Sequence, residues 1–282
     1  MNSVRMCTIN FWGLQPPLER RIALAIRQLD VLRPDIVAIQ EVRPLNGVDG
    51  ETTADRLADA LGYGCVYEPA LRWKADAFHA GFPAGEEGLA VLSNLPIVER
   101  RATALPEARP TEARILLSTR VNTDAGAFWF HTTHLHWRLA DGCARERQVV
   151  AIDEIIQRIE TPLPQVLCGD FNATPDSDEI RFLRGLCTLA GRRTYYQDAW
   201  LRVHPQQPGL TWCALNPNTR EMRSVDIDRR IDYVFVTTRC KDGRGTVLGA
   251  QVVLNEKDSD GLCISDHYGV VADVQIAPTA AT

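Results

Sequence analysis

Residues 36–39, Ile-Val-Ala-Ile, carry no polar side chain on either parity. A strand sends successive side chains to opposite faces, so a strand here needs cover on both sides. The segment QVLCGD at 165–170 reads as another central strand of this kind. Helices able to supply the cover lie at 18–32, 53–61, 145–159 and 176–186. In the first, Ile22, Ala25, Ile26, Leu29 and Leu32 recur at helical spacing before Pro34 stops the run; Gly62 halts the second. Shorter strand-like runs fall at 4–9, 89–93, 114–121, 128–134, 231–236, 250–254 and 269–276. Strands and helices thus mix in two comparable halves, which predicts an α/β (α+β) chain: packed sheets flanked by helices, in one domain over residues 1–282. Two stretches, 68–87 and 203–230, do not read as regular structure, and loops of that length inside a compact domain usually frame a site.

Composition narrows the classes. At 282 residues, with 45% hydrophobic and 24% charged residues, the chain can bury a full core and is not of disordered type. A formal net charge of −5 argues against a protein that coats long nucleic acid, although a local basic groove is compatible with it. No run approaches the length of apolar residues that spans a bilayer, and the start MNSVRMCTINFWG lacks the apolar core of a secretory leader. Eight cysteines are scattered with no CxxC pair, as expected of reduced thiols used as small hydrophobes in the cytoplasm.

Several apolar strands end in a residue that can bind a metal or move a proton. Asn10 ends the first and Glu41 follows IVAIQ; His134 ends FWFHTTH, and Asp170 with Asn172 ends QVLCGDFN. Asp232 opens the strand IDYVFV, and Asp266 and His267 stand just before YGVVADV. Each alone is more often a turn cap or a satisfied structural histidine. Their number and order are what turn chemistry fails to explain. His131 and His134 are three apart in a strand, so they face opposite sides and cannot share a zinc ion.

The motifs TINFWG, IQE, TTHLHW, GDFNATPDS, RRIDYVFV and SDHYGVVADV, in this order from residue 5 to 276, resemble those of the endonuclease/exonuclease/phosphatase (DNase I-like) superfamily. The resemblance implies a four-layer sandwich, two mixed sheets with helices outside and the site at one sheet edge. It also implies a phosphoesterase in which water attacks phosphorus. Glu41 would carry a hard cation, Mg²⁺ or Mn²⁺, with Asp266 and Asn10 at or near it. Asp170 would orient or deprotonate the water, and Asn172 would hold the phosphoryl group. The two-residue spacing on an extended segment would put Asp170 and Asn172 on one face. His267, paired with Asp232, would sit beside the phosphate as imidazolium or as base, and His134 would donate to phosphoryl or leaving-group oxygens.

The substrate stays open between a small or lipid-headgroup phosphoester and DNA or RNA, apurinic-site cleavage included; a catalytically dead binding module is the non-enzymatic alternative. No obligate protein partner is implied. Trp73, Lys74, Phe78, His79 and Phe82 in one long stretch, and Trp212, Asn216, Arg220, Arg223, Arg229 and Arg230 in the other, could stack a base and grip phosphates. Of these, Trp212, Asn216 and Arg230 are the expected substrate contacts; packing of Trp212 beneath its own loop, with the arginines solvated, is the competing reading. Glu86–Glu87 and His136–Trp137 are expected at surface or turn positions, with added substrate contacts as the alternative.

Overall fold

In the computed structural model, residues 3–77, 79–107, 112–222 and 228–278 are described. Phe78 and Arg223 lie outside them. In chain order the elements are β1 (Ser3–Asn10), α1 (Leu18–Leu32), β2 (Ile36–Val42), α2 (Thr53–Leu61), β3 (Gly64–Trp73), β4 (Gly85–Ser93), β5 (Ile97–Ala104), β6 (Ile115–Thr123), β7 (Gly126–His134), α3 (Gly142–Gln157), β8 (Val166–Asp170), α4 (Asp178–Leu183), β9 (Gln197–Asp198), α5 (Ala199–Val203), β10 (Asp232–Val236), β11 (Val247–Val253) and β12 (Gly269–Gln275). A 3₁₀ turn, Pro217–Met222, lies in the last long connection.

The strands form two six-stranded sheets, ordered β11-β12-β1-β2-β4-β3 and β5-β6-β7-β8-β10-β9. Each is antiparallel except for one central pair, β1 with β2 and β7 with β8. Side-chain parity builds the layers. Val4, Met6, Ile36 and Ala38 pack between the sheets with Phe128, Phe130, Val166 and Cys168. Cys7, Ile9, Val37 and Ile39 face the other way, onto Ile22, Ala25 and Leu29 of α1 and Leu57 of α2. On the second sheet Leu167 and Phe235 point outward to Val149, Ile152 and Ile156 of α3 and to Ile180 of α4. Ile36 to Ile39 are therefore covered on both faces, and the architecture is the four-layer sandwich. Full burial of each Val, Ile, Leu, Phe or Met among them contributes roughly 1.5–3 kcal/mol to holding the central strands in place.

The stretch at 68–87 is strand at both ends, and only the connection at 74–84 is irregular. β3 runs through Trp73 and pairs with β4 from Gly85, with a register shift between Pro69 and Leu71. β3 and β5 are both sheet edges, and neither contains a fully buried residue, so neither carries an apolar signature. α4 is shorter than its sequence pattern because Arg184 ends it and Gly185 turns to φ 74°. No helix among the described residues is long and apolar enough to cross a membrane.

Candidate active site

Two parallel pairs, β1–β2 and β7–β8, end at the same edge of the sandwich. Asn10 is opposite Gln40 in one, and His134 is opposite Asp170 in the other. Antiparallel β10 begins at that edge, with Asp232 in register with Asp170. The turn carrying Asp266 and His267 arrives there just before β12. Gln40 ties the sheets together below the site, donating to Thr8 Oγ1 and Thr132 Oγ1 at 3.1 Å each.

Asp170 is the hub and is almost wholly buried. Its Oδ2 accepts from Asn10 Nδ2 at 3.0 Å and faces His134 Nε2 at 3.5 Å and His267 Nε2 at 3.8 Å. Its Oδ1 accepts the Asn172 backbone N–H at 2.8 Å. The segment is not extended through Asn172: the strand ends at Asp170, and Asn172 turns to φ 49°. The pair is held by this side-chain-to-backbone bond rather than by strand parity. One Asn172 amide hydrogen goes to Leu135 O at 3.2 Å, leaving the amide one more donor. Gly169, at φ 137°, runs so close to β7 that a Cβ there would sit 2.0 Å from Thr133 O. Glu41 is also left-handed, at φ 55°, where the β2–β4 register shifts between Ile39 and Val42. Strained non-glycine residues persist where surrounding structure over-determines them, often at functional sites.

Charge states follow from the surroundings. Burial pushes Asp170 up to about 6, with His267 opposing and Asp232 adding to the rise. Burial alone would lower His267, but Asp232, Asp170 and Asp266 outweigh it and hold the ring well above its ordinary range, so it is an imidazolium. His267 Nδ1 donates to Asp232 Oδ2 at 2.9 Å. His134 goes the other way: burial, Arg114 and His267 hold it well below the usual histidine range. Arg114 Nη1 donates to His134 Nδ1 at 2.9 Å, so the neutral ring carries its proton on Nε2, toward Asp170. Burial, Glu87 and Asp266 push Glu41 up to about 7.

These carboxylates bear on the metal. Glu41 and Asp266 gather oxygen donors against their own repulsion, a set that fits a hard divalent cation, which takes oxygen ligands and offsets that repulsion. Asp170, Asp232 and His267 also bring ligand atoms within 4.8 Å of one another. Their histidine would have to give up a proton to become a ligand, whereas Glu41 and Asp266 offer the oxygen donors that a hard cation prefers. Asn10 stands beside Glu41 and meets it through its amide nitrogen. Its Oδ1 accepts the Trp12 N–H at 2.9 Å, which turns Nδ2 toward Glu41 Oε1 and Asp170 Oδ2, both at 3.0 Å. It links the two carboxylates.

The three expected substrate contacts are buried and touch protein. Arg230 holds Asp198 with both guanidinium branches, at 3.0 and 2.9 Å. Trp212 pairs with Arg229, whose guanidinium lies 5.2 Å from its ring centroid. Asn216 donates to Ser265 O at 2.9 Å, and Thr211 Oγ1 accepts from Ile231 and Asp232 N–H at 3.1 and 3.2 Å. This long connection is the scaffold of the Asp232 and His267 segments. Glu86 and His136 are not surface residues: both are buried, Glu86 against Arg72 at 2.7 Å and His136 Nε2 against Asp141 at 2.8 Å.

Sequence reasoning misses two arginines. Arg114 orients His134. Arg21 of α1, fully buried, donates to Phe11 O, to Gln15 O at 2.6 Å and to Ile264 O at 2.6 Å, joining the turns after β1 and before Asp266. Its only sequence signal is a charged residue one position before the apolar stripe of α1. Beside Glu41 and His134 opens a cavity of about 460 Å³, walled by Arg43, Trp73, Phe82, Arg114, Trp137 and Arg138 among others.

The fold and this edge define a class, the divalent-metal-dependent phosphoesterases and nucleases. The model of the Endonuclease/Exonuclease/phosphatase family matches residues 7–267, and the chain belongs to that family. Among solved structures it is similar to an endonuclease/exonuclease/phosphatase from Beutenbergia cavernae DSM 12333, with TM-score 0.74 and 23% identity, covering 98% of this chain and 72% of that one. It is similar to D. rerio TDP2 complexed with single strand DNA product (TM-score 0.72, 19% identity, 96% of this chain, 98% of that). It also resembles the human Nocturnin catalytic domain with bound sulfate anion (TM-score 0.70, 20% identity, 98% of this chain, 94% of that). At these identities the likeness concerns the fold. No curated protein matches the chain.

Proposed function

We propose that this chain hydrolyses a phosphodiester, or a phosphomonoester, by attack of water on phosphorus with Mg²⁺ or Mn²⁺ bound at Glu41 and Asp266. The observation that carries the reading is the Asp170 carboxylate, held between His134 and His267 and linked through Asn10 to Glu41. Glu41 and Asp266 would hold the cation, which would supply Lewis-acid polarisation of a phosphoryl oxygen. Asp170, with its affinity for a proton raised to about 6, is ionised near neutrality yet basic enough to take a proton from water. Asn172 offers its remaining amide hydrogen to a phosphoryl oxygen. The His267 imidazolium, kept charged by Asp232, opposes the negative charge that builds on phosphorus oxygens. The His134 Nε2–H, which faces Asp170 in the free site, offers a hydrogen bond to the leaving-group oxygen, whose proton then comes from solvent. Eight free cysteines suit a reducing compartment such as the cytoplasm.

The test is hydrolysis of bis-p-nitrophenyl phosphate. Turnover is expected with Mg²⁺ or Mn²⁺ and should stop in EDTA. Asp170→Asn and His267→Ala are each expected to lose on the order of 10²–10³ in kcat while remaining folded by circular dichroism. Near-native turnover in either folded variant would sink the assigned roles. A nucleic-acid substrate is the second reading, favoured by the arginines and aromatic rings beside the site.

A further inference from the structure

We propose that the cavity beside Glu41 and His134 is a clamp for the planar base of a nucleotide whose phosphate ester lies on the site; the position of that phosphate rests on the phosphoesterase reading. Two walls, from elements far apart in sequence, carry the same device. On the β3–β4 side the Arg43 guanidinium lies 5.2 Å from the Trp73 ring centroid. On the side of the turn after β7 the Arg138 guanidinium lies 4.9 Å from the Trp137 ring centroid. Carboxylates fix both guanidinium groups: Glu87 accepts from Arg43 at 2.8 and 2.6 Å, and Glu112 accepts from Arg138 at 3.3 Å. Trp137 is 49% exposed, so its indole is accessible to a ligand in the cavity it lines.

Three candidate occupants separate on chemistry. An acyl chain would strip water from three guanidinium and three carboxylate groups and give them no hydrogen bond in return. A second phosphate, as in a polyphosphorylated headgroup, needs a net positive wall. Here Glu87 and Glu112 already hold Arg43 and Arg138, and Arg114 is turned to His134, so all three guanidinium groups of this wall are engaged. A nucleobase meets both conditions. Its faces stack on indole rings and on guanidinium planes, and its edge carries donors and acceptors together, matching a wall of both charges. The volume, about 460 Å³, falls within the range of roughly 300–1,000 Å³ usual for small-ligand sites.

The experiment measures 5′-AMP, glycerol 3-phosphate and inositol 1,4-bisphosphate by calorimetry on the Asp170→Asn chain, which spares the ligands from turnover. AMP is expected to bind about five- to a hundredfold more tightly than glycerol 3-phosphate, the span of one base stack. Trp137→Ala should cancel most of that gap and Trp137→Phe should restore it, which separates loss of the ring from misfolding. Equal affinities, tighter binding of the bisphosphate, or a gap unmoved by Trp137→Ala would overturn the clamp. In parallel, the native chain with Mn²⁺ is offered a dinucleoside monophosphate and glycerophosphocholine, followed by ³¹P NMR. An AMP preference without hydrolysis of either diester keeps the clamp and removes the phosphoesterase reading; hydrolysis of both without preference does the reverse.

Discussion

A single buried guanidinium shows how much of this site depends on one side chain that does no chemistry. Arg21 satisfies carbonyls on the turn that follows Asn10 and on the turn that precedes Asp266. Burial pushes it down to about 10, against the opposing pull of Asp266 and Glu41, so it stays charged at any physiological pH. Removing it strands buried acceptors, each costing about 1–3 kcal/mol. Arg21→Met is therefore expected to lower the melting temperature by several degrees and to weaken Mg²⁺ binding, read by calorimetry, at least tenfold. Unchanged metal affinity in a folded variant would make Arg21 a structural residue only. The six ionisable residues Glu41, His134, Asp170, Asp232, Asp266 and His267 were legible because each is a polar interruption at the end of an apolar run. Arg21 was not, because in LERRIALA it is one charge among several, and only packing shows that it points inward.

Among the elements, β8 is the least tolerant. It ends in Gly169 and Asp170, and Gly169 adopts a φ of 137° with Thr133 O occupying the place of a side chain. Gly169→Ala cannot be accommodated without parting β7 from β8, which would move Asp170 away from His134. We expect insoluble protein, or a soluble one destabilised by several kcal/mol with kcat lost along with the melting temperature. Normal melting in this variant would show that the close approach is dispensable. The edge strands teach the opposite lesson. β3 and β5 have solvent on one side of their hydrogen-bonding edge and no fully buried residue, so tertiary pairing rather than hydrophobic pattern defines them.

At the scale of the whole molecule, two sheets bring Glu41 and Asp170 together, and the acid cluster exists only because the sheets pack. Glu41 is raised to about 7 in the folded chain, above its ordinary value. Its protonated form therefore favours folding, and this contribution is lost as pH rises from about 4.5 through 7 in metal-free protein. A cation needs the ionised form, so its affinity changes in the opposite sense. Mg²⁺ is expected to bind about tenfold more weakly at pH 6 than at pH 8, with close to one proton released at pH 6, as read by calorimetry in two buffers. Affinity independent of pH across that range would remove Glu41 from the metal site.

By itself the sequence determined that the strands at 36–39 and 165–170 are central, that helices are at hand to cover them, and which polar groups stand at the strand ends. These are consequences of local periodicity and of the chemistry of each side chain, which travel with the chain. Tertiary structure alone decided that Asn10 links two carboxylates, that the surroundings hold the proton affinity of His267 up and that of His134 down, and that Arg230 is engaged by Asp198. Proton affinities and hydrogen-bond partners depend on groups far apart in sequence. Their fields and burial come into being only when the two sheets close on one another.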